Sequence, residues 1–150
     1  MPIGINWLHH ITRHLPTPIV IELQANEESS GGFYSPPRDE EYEYQGVVVP
    51  ASRSGVIVAY HFAHADWDTA AVLAHEWRRH WQYWHGINFV LSPLREGKES
   101  YEKHIVEYFS RSRTEEDALR FECAVAPCPE NLWRLAAMEQ WRKSGEVLVW

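Results

Sequence analysis

The chain has 150 residues, 45% of them hydrophobic and 23% charged, which excludes disordered and fibrous classes. Its length suits a single domain over residues 1–150, and no apolar run approaches the roughly 20 residues of a membrane-spanning helix. A net charge of −7 repels phosphate backbones, so nucleic acid is not an expected partner, and with no long apolar run neither is a membrane.

In chain order, Trp7, Leu8, Ile11 and Leu15 mark a short helix closed by Pro16. Residues 18–23, which carry the β-branched run Ile19-Val20-Ile21, read as a strand. Residues 25–41 carry turn signals, with a brief strand at Phe33-Tyr34. Residues 42–49 read as a strand, 50–55 as a turn and 56–62 as a second strand. Residues 43–62 are therefore expected to form a β-hairpin. A helix follows from about Trp67, capped by Asp66 or Asp68, to His85, with Gly86 at its C′ position. Residues 87–97 form a loop, and helices are expected over 98–113, 115–125 and 130–143. Residues 146–150 make a short apolar tail. Strands first and helices second give an α+β class, a small antiparallel sheet followed by a helical half.

The N-terminal stretch shows no apolar signal region, so a cytoplasmic location is expected, with Cys123 and Cys128 as reduced thiols. Nine histidines in 150 residues raise the question of a metal site, which their positions must decide. His10 and His14 lie one turn apart on the first helix, where a solvated face accounts for them. His61 and His64 bracket the turn into the long helix. Trp77, Trp81 and Trp84 follow the helical period and read as core.

The strongest chemical signal is His75-Glu-Trp-Arg-Arg-His80. In H-E-x-x-H, two histidines one turn apart share a zinc ion, and the glutamate takes a proton from the metal-bound water. Here the spacing is one residue longer. At about 100° per residue, His80 lies about 140° from His75 and Arg79 about 40° from it. A π-bulge between Glu76 and His80 would bring the two imidazoles to one face. Without it, the apolar stripe Ala70, Leu73, Ala74, Trp77, Trp81 and Trp84 stays coherent and leaves His75, Glu76 and Arg79 on the opposite face. Downstream, Glu115 and Glu122 share a helical face with Ala118 and Leu119.

These features resemble the gluzincin type of zinc metallopeptidase, and most closely the short ImmA/IrrE-type proteins of phages and mobile elements. Ala74-His75-Glu76 matches the start of the first motif. Glu115, Ala118 and Phe121 match E-x-x-A-x-x-F. The lengthened H-E-x-x-x-H is similar to that of the dipeptidyl peptidase III family. The resemblance covers roughly residues 55–127. It implies a zincin-like fold binding Zn2+ through His75, His80 and Glu115, with Glu116 and Glu122 as rivals for the third position. Glu76 would be the general base. His104 and Tyr108, with Tyr101 beside them, would supply the oxyanion donor. The implied reaction is hydrolysis of an extended peptide lying beside strand 56–62. The alternative is a non-catalytic zincin-like interaction module of the kind phages carry, metal-free, with Arg79 in the ligand slot.

Overall fold

The computed structural model describes residues 5–25, 31–61, 69–86 and 113–144. Helix α1 covers Ile5–Ile11, strand β1 Ile19–Gln24, β2 Gly32–Ser35, β3 Tyr42–Tyr44, β4 Val47–Val49 and β5 Val56–His61. Helices α2 (Thr69–Trp84), α3 (Arg113–Val125) and α4 (Pro129–Ser144) follow. The architecture is α+β, a small mixed sheet followed by a helical region.

Strand β5 organises the sheet. Its run Val56-Ile-Val-Ala-Tyr60 is buried throughout, the signature of a strand covered on both faces rather than one that alternates. It lies at the centre of the order β1-β5-β2, parallel to β1 and antiparallel to β2. Ile57 and Ala59 point toward α2, together with Val20, Leu8, Val72, Leu73 and Trp77. Val56, Val58 and Tyr60 face the other way, onto Val49 with Ile21, Leu23, Tyr42 and Val47. Burying each of the larger aliphatic side chains contributes roughly 1.5–3 kcal/mol, so β5 is a main source of stability.

Two expectations about the sheet need correction. The hairpin does not join residues 42–49 to 56–62: it closes within the first of these, between β3 and β4. Its two-residue turn is Gln45-Gly46, with φ of 51° and 77°, the left-handed pair that suits the twist of a tight hairpin. The sheet is accordingly mixed rather than purely antiparallel. Strand 56–61 is also no free edge for a peptide, because β1 and β2 occupy both its sides.

Helix α2 packs against β5 and β2 on one side, α3 on the other, and α1. It is α-helical from Thr69 to Trp84 without a bulge, and Gly86, at φ 67°, donates to the Tyr83 carbonyl to close it. Residues 71 to 77 are all buried, so α2 is a central helix and not an amphipathic surface one. Trp77 is anchored by its indole N–H on Thr12 Oγ1 at 2.8 Å, and Thr12 Oγ1 in turn donates to the Leu8 carbonyl at 2.7 Å. The proposed caps Asp66 and Asp68, all but the last residue of the helix expected over 98–113, and the tail 146–150 lie outside the described residues.

Candidate functional site: a buried ion-pair cluster between two helices

A helix buried on several sides must find partners for every polar side chain it carries inward. For α2 those side chains are His75, Glu76, His80 and Gln82, all buried. The seam with α3 satisfies most of them.

His75 sits at the middle of the seam. Its Nδ1–H donates to Glu122 Oε1 at 2.7 Å, and its Nε2–H donates to Glu115 Oε2 at 2.9 Å. Glu76 Oε1 lies 3.9 Å from the same Nε2. Arg79, one turn on from His75, pairs with the other oxygen of Glu115. Glu122 is held from behind by Asn131 Nδ2, which donates to Oε2 at 3.2 Å and also to the Ala126 carbonyl at 3.0 Å. The Asn131 side-chain oxygen accepts from the Cys128 backbone N–H at 2.9 Å, which caps α4.

The electrostatics follow from these contacts. Both ring nitrogens of His75 meet carboxylate oxygens, so the imidazole is doubly protonated. Burial pulls its pKa down, but the hydrogen bond and charge of Glu122, with Glu76 beside it, outweigh burial and hold it above the usual histidine value. Glu76 is pushed above the ordinary carboxylate range, chiefly by burial, with His75 and Arg79 opposing. Two cations, His75 and Arg79, thus face the two carboxylates Glu115 and Glu122, with Glu76 beside them.

A second set of pairs zips the rest of the seam. Arg78 holds Asp117 through two bonds of 2.7 and 3.2 Å, and Gln82 donates to the same carboxylate at 2.8 Å and to the Thr114 carbonyl at 3.0 Å. Burial raises the Asp117 pKa, but these hydrogen bonds more than offset it and hold the group low. Arg78 also stacks over Trp81 at 3.8 Å. Glu116 points elsewhere, to Arg120 at 3.2 Å, and Arg120 reaches on to Glu139 in α4 at 3.1 Å. Cys123 and Cys128 are free thiols, and burial, with Glu122 nearby, pushes Cys123 up to about 12, which suppresses its thiolate.

His80 belongs to a different cluster. Its Nε2–H donates to the Pro16 carbonyl at 2.9 Å, so its Nδ1 accepts from the Tyr34 hydroxyl at 3.1 Å. Burial lowers its pKa, so this imidazole is neutral. It ties α2 to β2 and to the segment before β1.

These positions overturn the metal-centre reading. Without a π-bulge, His75 faces α3 and His80 faces β2, so the two imidazoles do not converge. Among the described residues no group of three or more His, Cys, Asp and Glu side chains could hold a metal ion. The expectations of Zn2+ as cofactor, of His75, His80 and Glu115 as a ligand set, and of a zinc metallopeptidase of gluzincin type fail with it. Glu76 loses its assigned role as base for a metal-bound water. It sits instead among the pairs that close the seam. The structure does bring His75, Glu115 and Glu122 together, as their shared faces suggest, with both glutamates on one ring. His104, Tyr108, Tyr101 and His64 lie outside the described residues.

Sequence reasoning placed Arg79 in the ligand slot of the metal-free alternative without naming Glu115 as its partner, and it missed two further parts of this arrangement. Asn131 as a brace for Glu122, and the Tyr34–His80–Pro16 chain, carry no sequence signal because they join residues far apart. Compared with protein-family models, curated proteins and solved structures, the chain finds no match in any of the three.

Proposed function

We propose that this chain is a non-catalytic binding module whose partner is a protein, recognised as an extended segment. The observation that carries the reading is the saturation of the α2–α3 seam. His75 spends both ring nitrogens on carboxylates, and Arg79 supplies on Glu115 the positive charge that an ion would otherwise bring. Groups committed in this way hold the helices together and have no free valence for chemistry.

The docking position follows from the sheet. Ile19 and Ala25 direct their amides to β5, so the pleat turns the amides of Val20, Glu22 and Gln24 to the other side. There no described strand pairs with them. The opposite edge, β2, runs directly into Pro36-Pro37, a sequence that blunts an edge. Strand addition to β1 is therefore the favoured mode. The test is selection of extended peptides from a random display library, followed by hydrogen exchange on the complex. Binders should protect the amides of Val20, Glu22 and Gln24, and Glu22→Pro should abolish binding while leaving the β1–β5 ladder intact. Cleavage of such peptides by the purified chain, lost in Glu76→Gln, would overturn the reading.

A further inference from the structure

Outside the seam, one cluster has no role in packing the core. His14, in the segment after α1, and His85, just past the end of α2, are both exposed, yet their Nε2 atoms lie 3.1 Å apart. Their ring centroids are 5.3 Å apart with the planes at 64°. His85 also packs on Trp81, at 4.4 Å between centroids.

We propose that His14 and His85 form an acid-opened clasp between the segment leaving α1 and the C-terminal end of α2. This is independent of the peptide-binding reading. The contact has a strict requirement: one Nε2 must carry a proton and the other must not. A first proton added to the pair on the outer ring nitrogens leaves the hydrogen bond intact. Once both rings are fully protonated, two N–H groups face each other across 3.1 Å and two cations repel. Histidine is the side chain that makes this change between pH 5 and 8.

The surroundings reinforce the effect. From the α1 side, Arg13 stands beside His14 in sequence and donates to the His10 ring at 3.1 Å, which requires a lone pair on His10 as well. From α2, Arg78 lies over Trp81 on the side chain that carries His85, with its charge already committed to Asp117. Among the described residues, no carboxylate is recorded against either ring of the pair. Acidification therefore concentrates positive charge at this junction, with no carboxylate among the described residues paired to either ring. The strap between the two contacts is short. Two residues beyond His14, the Pro16 carbonyl is the acceptor for His80, so the segment His14–Pro16 is fastened to α2 at two points. Opening the outer one frees the turn in which the Leu15 amide donates to Thr12 at 2.8 Å.

The size of the linkage can be bounded. Two unit charges 5.3 Å apart, even in the full dielectric of water, disfavour the doubly charged closed pair by a factor of roughly four. Imidazole 15N NMR from pH 4.5 to 8.5 in low salt tests this on the full chain, comparing wild type with His14→Ala and His85→Ala. In wild type the two rings should respond to acid in linked steps, a coupling that disappears from the ring left alone in either variant. Amide exchange at Leu15, corrected for its intrinsic pH dependence, should accelerate about fourfold or more across that second step, and should be fast and pH-independent in both variants. If the His85 titration superimposes in wild type and His14→Ala, or the Leu15 amide does not respond to the second step, there is no clasp.

Discussion

Replacing Arg79 with methionine keeps most of the side-chain volume and removes the charge, which isolates its electrostatic role. The loss removes the guanidinium that pairs with Glu115, so the His75 imidazolium between Glu115 and Glu122 carries more of their charge in a seam where His75 and Glu76 are buried. Breaking one partner of a fully buried pair costs about 3–5 kcal/mol. Arg79 retains 32% of its side-chain exposure against 12% for Glu115, so water screens part of the loss, and about 2–3 kcal/mol is the expected cost. For a chain of this size that is roughly a 5–10 °C fall in Tm. Urea unfolding at pH 7 of wild type, Arg79→Met, Glu115→Gln and the double variant forms a cycle. The coupling term should be at least about 1 kcal/mol, with the double variant more stable than the sum of the single losses implies. An Arg79→Met protein as stable as wild type, or strictly additive single losses, would refute the argument that Arg79 is the counter-ion of the cluster.

Other consequences follow from the same geometry. The folded-state pKa values of His75 and Glu76 are both raised, so the native state binds more protons than the unfolded chain above the ordinary values of 6.5 and 4.5. Stability from these groups is therefore present at low pH and lost as pH rises through the folded pKa values. Glu76→Gln, which cannot ionise, should flatten the alkaline decline seen in urea titrations, whereas a steeper decline would contradict it. Asp117 and His80 have lowered values, so their contributions are lost as pH falls, below about 6.5 for His80 and through the folded pKa for Asp117. Asp117→Asn should thus cost stability at pH 7 and much less in acid, measured the same way. Gly55 has φ 121°, and an added Cβ would meet the Tyr34 hydroxyl at 2.5 Å. Gly55→Ala should destabilise by about 2–4 kcal/mol through backbone strain and crowding. Tyr34→Phe by itself loses the hydroxyl's bond to His80, so the comparison is between backgrounds: Gly55→Ala should cost less in Tyr34→Phe than in wild type, and an equal cost would show that the contact is not the cause.

How much of this was legible depended on whether the signal was local. The long helix, its Gly86 closure and the strand 56–61 were readable because periodicity, a left-handed glycine and an apolar run are written in neighbouring residues. The hairpin was misplaced because Gln45-Gly46 lacks the Asn-Gly or Asp-Gly signature, while Pro50-Ala-Ser-Arg-Ser-Gly55 looks more like a turn. The parallel pairing of β1 with β5 had no local signature at all. At the site, spacing alone gave the decisive quantity: an angle of about 140° between His75 and His80 splays two imidazoles on a regular helix. The motif's resemblance pulled toward a shared ion, and the tertiary environment decided otherwise. A histidine flanked by glutamates looks the same in sequence whether the glutamates ligate a metal beside it or accept hydrogen bonds from it. What distinguishes the two is where Glu115 and Glu122 arrive from another helix, and whether an arginine arrives with them.

The most direct test of the closed seam is the 15N NMR spectrum of the His75 imidazole at pH 7, recorded on untagged protein before and after addition of one equivalent of zinc. Both ring nitrogens should carry protons, one bonded to Glu122 and one to Glu115, and the spectrum should not change with zinc. An Nε2 that loses its proton and shifts as one equivalent of metal binds would contradict the account.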